Sequence, residues 1–335
     1  MITLLTVAVA GHVAWFLCLL LRPLMVRYAL ARPNARSSHQ VPTPQGGGIA
    51  VLGGVVLALL LAGALGLLPA QARPALALVL AAAVLVAGVG AWDDIAPLPA
   101  GLRLGLQTVA VSVVLMLAAP ELRLLPDLLP LWAERALCIL AGVWFVNLVN
   151  FMDGIDWITI AGIAPLCAAL AAAGALGVLD PASGLLAAAL LGGLLGFAPL
   201  NRPVAKIFLG DVGSLPIGLL TAWLLYRLAA EGALVAALIL PLYHVLDSTI
   251  TLLRRLARGE KVWQAHRSHF YQQATDNGFS VSQVVARVAG LNLGLAVLAG
   301  LTIRFPATAV QLGCLTLALA LTALLLARFA RRRTA

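Results

Sequence analysis

Long apolar runs separated by short polar punctuation dominate this chain. About eleven runs approach the roughly 20 residues that carry a helix across a bilayer core. They lie near 2–21, 46–68, 74–91, 103–119, 135–150, 158–178, 183–200, 213–229, 233–253, 285–303 and 306–327. The runs are continuous, not alternating, which selects helices over the period-two pattern of a membrane β-barrel. One long polar connection interrupts them, at about 254–283. The predicted fold is all-α and polytopic, a single transmembrane unit over residues 1–335.

Composition agrees with the pattern. Hydrophobic residues make up 62% of the 335 positions and charged residues only 10%, where a soluble domain carries about one quarter charged. The chain is therefore read as a bilayer-embedded protein. Residues 1–21 lack a basic leader and run into Arg22, Arg27, Arg32 and Arg36, which predicts a retained first helix and not a cleaved signal. Cys18, Cys138, Cys167 and Cys314 sit in apolar runs without metal-ligand spacing and read as small buried hydrophobes. His12 reads as a packed helix residue, and His244 as a partner for Asp247 or a neighbouring helix.

Charge orients the spans. With the N-terminus outside and the spans alternating, the inner face receives 17 of the 22 Lys and Arg and 8 of the 13 acids. The net charge of +9 then lies wholly inside, as the positive-inside rule expects, and the C-terminus is cytoplasmic. The surplus is assigned to topology and anionic headgroups and not to nucleic acid.

The polar motifs fall on that same inner face, although they did not set the topology. GVGAWDDIAP, residues 88–97, ends a span with the adjacent carboxylates Asp93 and Asp94; like charges so close call for a cation or a raised pKa. NLVNFMDGIDW, residues 147–157, places Asn150, Asp153 and Asp156 at three-residue intervals, on one side of a helical turn. NRPVAKIFLGDVGSLPIG, residues 201–218, puts Asp211 at the start of a span, where backbone N–H groups favour phosphate; Walker A spacing is missing from it. AHRSHFYQQ, residues 265–273, offers His266, Arg267 and His269 as donors to phosphate oxygens. RSSHQVPTPQGGG, residues 36–48, opens the second span with His39, Gly46 and Gly47, where glycine lets backbone approach a ligand.

Taken singly, each motif also fits a solvated helix end, an N-capped turn or a basic juxtamembrane loop. Convergence on one face points to a hard cation, which takes oxygen ligands and substrate phosphates. A transporter is the alternative, but transporter sites lie at the bilayer midplane with repeat symmetry. A CDP-alcohol phosphotransferase would need its own acidic spacing, which does not occur.

In their order these motifs resemble the polyprenyl-phosphate N-acetylhexosamine-1-phosphate transferase family, relatives of phospho-N-acetylmuramoyl-pentapeptide transferase, over roughly residues 35–275. The resemblance implies a cytoplasmic-facing site in a bacterial inner membrane, with Mg2+ (or Mn2+) as cofactor. It implies transfer of a sugar-1-phosphate from a UDP-sugar to undecaprenyl phosphate, with release of UMP. By motif, Asp93 and Asp94 look like the catalytic acidic pair, and Asp211 with Asp94 like the metal ligands. Asn150, Asp153, Asp156, Asn201 and Phe208 look like the nucleotide set, with Phe208 as the stacking ring. His266, Arg267 and His269 look like diphosphate or sugar contacts, and His39, Gly46, Gly47 and Asp247 like supporting residues. A homodimer is compatible with the family. Three positions depart from the muramoyl-pentapeptide branch: Trp92 before Asp93-Asp94, His266-Arg267-Ser268-His269 for a triple histidine, and Trp157 where Gly is common. HRSHFYQ looks more like the branch that starts O-antigen or capsule chains on a UDP-N-acetylhexosamine.

Overall fold

The computed structural model describes residues 1–31, 42–262, 264 and 266–332; His39 lies outside them. Helix α1 (Ile2–Tyr28) leads to a two-residue antiparallel ladder of β1 (Leu30–Ala31) with β2 (Thr43–Pro44). Then come α2 (Gly47–Ala64), α3 (Arg73–Ile95), α4 (Ala100–Val113, ending in a π-helical turn at Val114–Ala118) and α5 (Leu131–Phe151). They are followed by α6 (Ile158–Ala175), α7 (Pro181–Phe197) and α8 (Asp211–Ala230). The chain closes with α9 (Leu234–Ile239), α10 (Leu242–Ala257), α11 (Phe270–Asp276), α12 (Val281–Arg304) and α13 (Thr308–Phe329).

Among the described residues, ten helices are long and apolar enough to cross a bilayer. The fold is the expected all-helical polytopic one, with one difference in count. The run at 233–253 forms two helices, α9 and α10, broken at Leu240-Pro241. Proline has no N–H to donate and its ring crowds the carbonyl four residues back, so it ends a helix there. The second piece is also strongly amphipathic, and in an inverted sense. His244, Asp247, Ser248, Thr251 and Arg255 are buried, while Leu253 and Leu256 are exposed. A hydropathy window averages the two faces and reads one apolar span.

Helix α8 is the centre of the bundle. Its apolar window is 89% buried, against 22% for α1 and α13 at the periphery. It packs on α2, α3 and α5, and glycine makes the approach close enough. A Cβ on Gly48 of α2 would stand 2.0 Å from the Gly213 Cα, and one on Gly90 of α3 would stand 2.3 Å from the Asp211 carbonyl oxygen. These contacts draw the end of α3 and the starts of α2 and α8 into one knot. The opposite end of the bundle is held by buried polar side chains. Arg135 donates to the carbonyls of Leu115, Ala119, Pro120 and Leu122 and to the Tyr226 hydroxyl.

Overpacking that knot should be costly. Gly90→Val is expected to lose about 1–3 kcal/mol of stability, read as a lower thermal midpoint of detergent-purified protein. Gly88→Val, at a position with open space around it, should leave the midpoint unchanged.

Candidate active site

The site grows from the start of α8. Gly210 takes a left-handed φ of +76°, which glycine adopts without steric cost, and turns the chain into the helix. The first backbone N–H groups of α8 then need acceptors. Asp94, at the end of α3, supplies them: its Oδ1 accepts from the Asp211 N–H at 3.1 Å and its Oδ2 from the Val212 N–H at 3.2 Å. A carboxylate from another helix thus caps α8 and meets the positive end of its dipole. A Cβ at Gly210 would fall 2.7 Å from Asp94 Oδ2, so size as well as φ selects glycine.

The neighbouring carboxylates are tied to this point. Asn150 Nδ2, at the end of α5, donates to Asp211 Oδ1 at 2.7 Å and to Ser214 Oγ at 2.9 Å. Asp93 Oδ1 accepts from the Leu98 N–H at 2.6 Å, and its Oδ2 is paired with the Arg103 guanidinium. The same Arg103 nitrogen lies 3.5 Å from Asp211 Oδ2. Arg103 is a site residue that motif reading missed. Its only signal is a lone basic residue in the first turn of the span after Asp93-Asp94.

The turn at 151–157 forms the adjoining wall. Asp153 is half-buried and accepts from Thr159 Oγ1 at 2.5 Å. Burial, with the nearby charges of Asp94 and Asp156, pushes its pKa up to about 7, against the Thr159 hydrogen bond. Asp156 is buried, and its Oδ2 accepts from the Ala205 N–H at 3.0 Å. Asn201 is buried too; its Oδ1 accepts from the Trp157 N–H and its Nδ2 donates to the Ile207 carbonyl. These two residues, expected as nucleotide contacts, latch the loop at 198–207 to this turn. Phe208 is half-buried on the next stretch. Its N–H donates to the Pro44 carbonyl, and its own carbonyl accepts from Gly46 and Gly47. The glycine amides are therefore turned toward loop backbone.

The histidine loop packs against the same turn. Asp247 is fully buried on α10 and accepts from His269 Nδ1 at 3.1 Å, the Phe270 N–H at 3.0 Å and the Tyr271 N–H at 3.3 Å. It caps α11 as Asp94 caps α8, and it fixes the His269 ring. His266 stacks on His269 with centroids 4.9 Å apart, and Phe151 lies 6.4 Å from His269. Burial, His269 and Arg255 push the His266 pKa down to about 4, so the ring is neutral at neutral pH. Tyr271 reaches the Phe151 carbonyl at 3.1 Å, joining this loop to the acidic wall. Arg267 pairs with Thr275 and Asp276 along α11. Arg255, also missed from sequence, is buried and donates to Glu260 and to the carbonyls of Lys261, Val262 and Gln264.

An apolar cavity of about 330 Å³ lies between α4, α5, α8, α9 and α10, reaching from Leu148 to Leu115 and Tyr226 toward the opposite end of the bundle. Its walls include Trp144, Phe145, Leu219, Trp223 and Pro241, and Leu148, two residues before Asn150, joins wall to site. Among the described residues, no three His, Cys, Asp or Glu side chains form a ready-made metal cage. The oxygen donors nevertheless suit a hard cation, which takes one or two carboxylates and completes its shell with phosphate and water. Asp211 Oδ1 is held by Asn150 at 2.7 Å, whereas Oδ2 lies 3.5 Å from Arg103 and beside the Asp93 carboxylate, which leaves Oδ2 the less tightly held oxygen. The upward push on Asp153 comes first from burial, with the Asp94 and Asp156 charges adding to it.

Trp157 explains its own departure from glycine. It sits at φ +63°, a left-handed conformation costing about 1–2 kcal/mol for a residue with a Cβ. Its indole N–H offsets that cost by donating to the Ala198 carbonyl at 2.6 Å. Trp157→Gly, which removes strain and bond together, is expected to be near neutral for stability. Trp157→Ala, which keeps the strain and loses the bond, should lower the thermal midpoint by about 1 kcal/mol's worth. Equal midpoints for the two variants would reject this account.

Comparison with known proteins places this geometry. Residues 76–229 match glycosyl transferase family 4. The chain is 31% identical to a decaprenyl-phosphate N-acetylglucosaminephosphotransferase of Mycobacterium tuberculosis, over 77% of this chain and 71% of the relative. It is 28% identical to a phospho-N-acetylmuramoyl-pentapeptide-transferase of Corynebacterium jeikeium, over 90% and 98%. It is 29% identical to an undecaprenyl-phosphate alpha-N-acetylglucosaminyl 1-phosphate transferase of Yersinia pestis, over 75% and 71%. An acid-rich helix start at one end of a polytopic bundle, matched over these lengths, makes the chain a member of glycosyl transferase family 4.

Proposed function

We propose that the chain transfers a sugar-1-phosphate from a UDP-sugar to a polyprenyl phosphate and releases UMP. The observation that carries this reading is the gathering of Asp93, Asp94, Asn150, Asp153 and Asp211 at the start of α8. The names of the relatives support the acceptor and an N-acetylhexosamine donor. The inner-face charge supports a cytoplasmic-facing site. The His266-Arg267-Ser268-His269 form favours a donor that starts an O-antigen or capsule chain over the peptidoglycan precursor.

In this reading an oxygen of the lipid phosphate attacks the β-phosphorus of the donor. The new P–O bond forms as the bond to the UMP oxygen breaks, and UMP leaves with that electron pair. A phosphate monoester has a second pKa of about 6, so the nucleophile is already largely ionised at neutral pH. Catalysis then rests on holding two anions in line and balancing their charge. Asp211 and Asp94 would hold Mg2+ (or Mn2+), which when bound neutralises diphosphate charge. Asn150 orients Asp211, and Arg103 holds Asp93 beside it. His266 and His269 present imidazole nitrogens to the diphosphate or sugar, and Asp247 fixes the His269 ring. The prenyl chain lies along the Trp144–Trp223 cavity.

The direct test is UMP release by detergent-purified protein given Mg2+, undecaprenyl phosphate and one UDP-N-acetylhexosamine at a time. UMP that depends on both lipid and one donor is the expected result; lipid-independent release, or silence across common and modified donors, rejects the reading. Asp211→Ala and Asp93→Asn should each lower turnover by about 10²-fold or more with the bundle still folded. Near-normal turnover in both would remove the acidic cluster from the mechanism. Asp247→Asn places an amide against three N–H donors and should cost about 1–3 kcal/mol of stability, seen in a melting curve.

A further inference from the structure

On α12 and α13, which carry none of the acidic cluster, runs an apolar groove of about 340 Å³. Gly290, Gly294, Leu321 and Leu325 line its length, and Arg287 and Arg328 stand at one end. That end is the one bearing the active site, because α11 follows directly on His269 and Asn277 Nδ2 bonds the Phe329 carbonyl at 2.8 Å. Ring packing braces that end. Phe279 meets Phe329 edge-on at 5.9 Å, and the Arg287 guanidinium lies 5.1 Å over the Phe279 ring.

Arg287 donates to the Gln283 carbonyl, and among the described residues no carboxylate pairs with Arg287 or with the exposed Arg328. Two guanidinium groups at a membrane edge, above a strip of hydrocarbon-lined groove, match one chemistry: a phosphate ester carrying acyl chains. The glycines point the same way. Glycine weakens a helix interior relative to alanine, and Gly90 and Gly48 return that loss through close helix packing. Gly290 and Gly294 do not, since a Cβ on either would meet nothing within 4 Å. They leave the floor of the groove between the two arginines and Leu321 clear.

We propose that this groove binds an anionic phospholipid, with its phosphate between Arg287 and Arg328 and an acyl chain along Gly290 and Gly294. A second copy of the chain fits less well as sole occupant. Two copies in one membrane share an orientation, so their arginines would meet at one level without a counter-charge. The site is separate from the transferase site and does not depend on the reaction assigned to it.

The test is native mass spectrometry of the full chain, delipidated in detergent and titrated with dioleoylphosphatidylglycerol or dioleoylphosphatidylcholine. The expected result is one phosphatidylglycerol held in preference to phosphatidylcholine. Arg287→Gln with Arg328→Gln should weaken that binding roughly tenfold or more, as two basic contacts at an anionic surface would. Gly290→Leu, which fills the groove and keeps both charges, should also weaken it. Arg22→Gln with Arg27→Gln, basic residues at the end of α1, should not. Equal retention of the two lipids, unchanged binding in either groove variant, or a lipid-free dimer that Gly290→Leu dissociates would each overturn the proposal. Circular dichroism and UMP release show whether the variants are folded.

Discussion

The bond from the Asp94 carboxylate to the first two amides of α8 is the constraint on which the site depends. It ties the end of α3 to the start of the most enclosed helix in the bundle. It satisfies donors that have no carbonyl partner within the helix, and it places negative charge at the positive end of the helix dipole. The glycines at 48, 90, 210 and 213 are needed because this junction admits no side chain. Asp211 is carried to its position by the same bond, as the first residue of the helix it caps.

Asp247 repeats the device on a smaller scale. A buried carboxylate on α10 receives the first amides of α11 and the ring of His269. In both places an acid near the candidate site is occupied in holding backbone, as the supporting role expected of Asp247 implies. Asp156 and Asn201 follow the same logic, since both bond the loop at 198–207. An acid-rich membrane face therefore divides its carboxylates between architecture and chemistry. In the proposed reaction Asp94 serves both ends, while Asp211 is held by the Asn150 amide and Arg103, Asp153 by the Thr159 hydroxyl, and Asp93 by Arg103 and the Leu98 N–H.

Much of this was legible along the chain. Continuous apolar runs declared the helices, and Asp93, Asp94, Asn150, Asp153, Asp211 and the histidine pair all come from motifs visible as short strings. What stayed hidden depends on partners far away in sequence. The Asp94 cap spans 117 positions and the Arg103–Asp211 contact 108, and no local period encodes either. Arg255 looked like ordinary inner-face charge, although it is buried and organises four partners. The break at Pro241 was visible as a residue, but the apolar average around it concealed that α10 turns its polar stripe inward. Trp157 stood out as a departure, and only its φ and its indole bond give the reason.

The inward stripe of α10 closes the argument about how acids come to rest at a membrane edge. A helix with a buried polar face and an exposed apolar one is the reverse of a surface helix in water, and it suits a neighbour that is hydrocarbon outside and polar inside. Asp247 can then lie fully buried, because the helix that carries it meets lipid with Leu253 and Leu256. The same inversion sets the histidine loop against the 151–157 turn, where Tyr271 reaches the Phe151 carbonyl. Lipid on one side and clustered negative charge on the other leave an uneven balance. Asp153, pushed up to about 7 by burial and by Asp94 and Asp156, records it. A cation brought in with a diphosphate would offset that negative charge, so the clustered carboxylates favour the substrates proposed here.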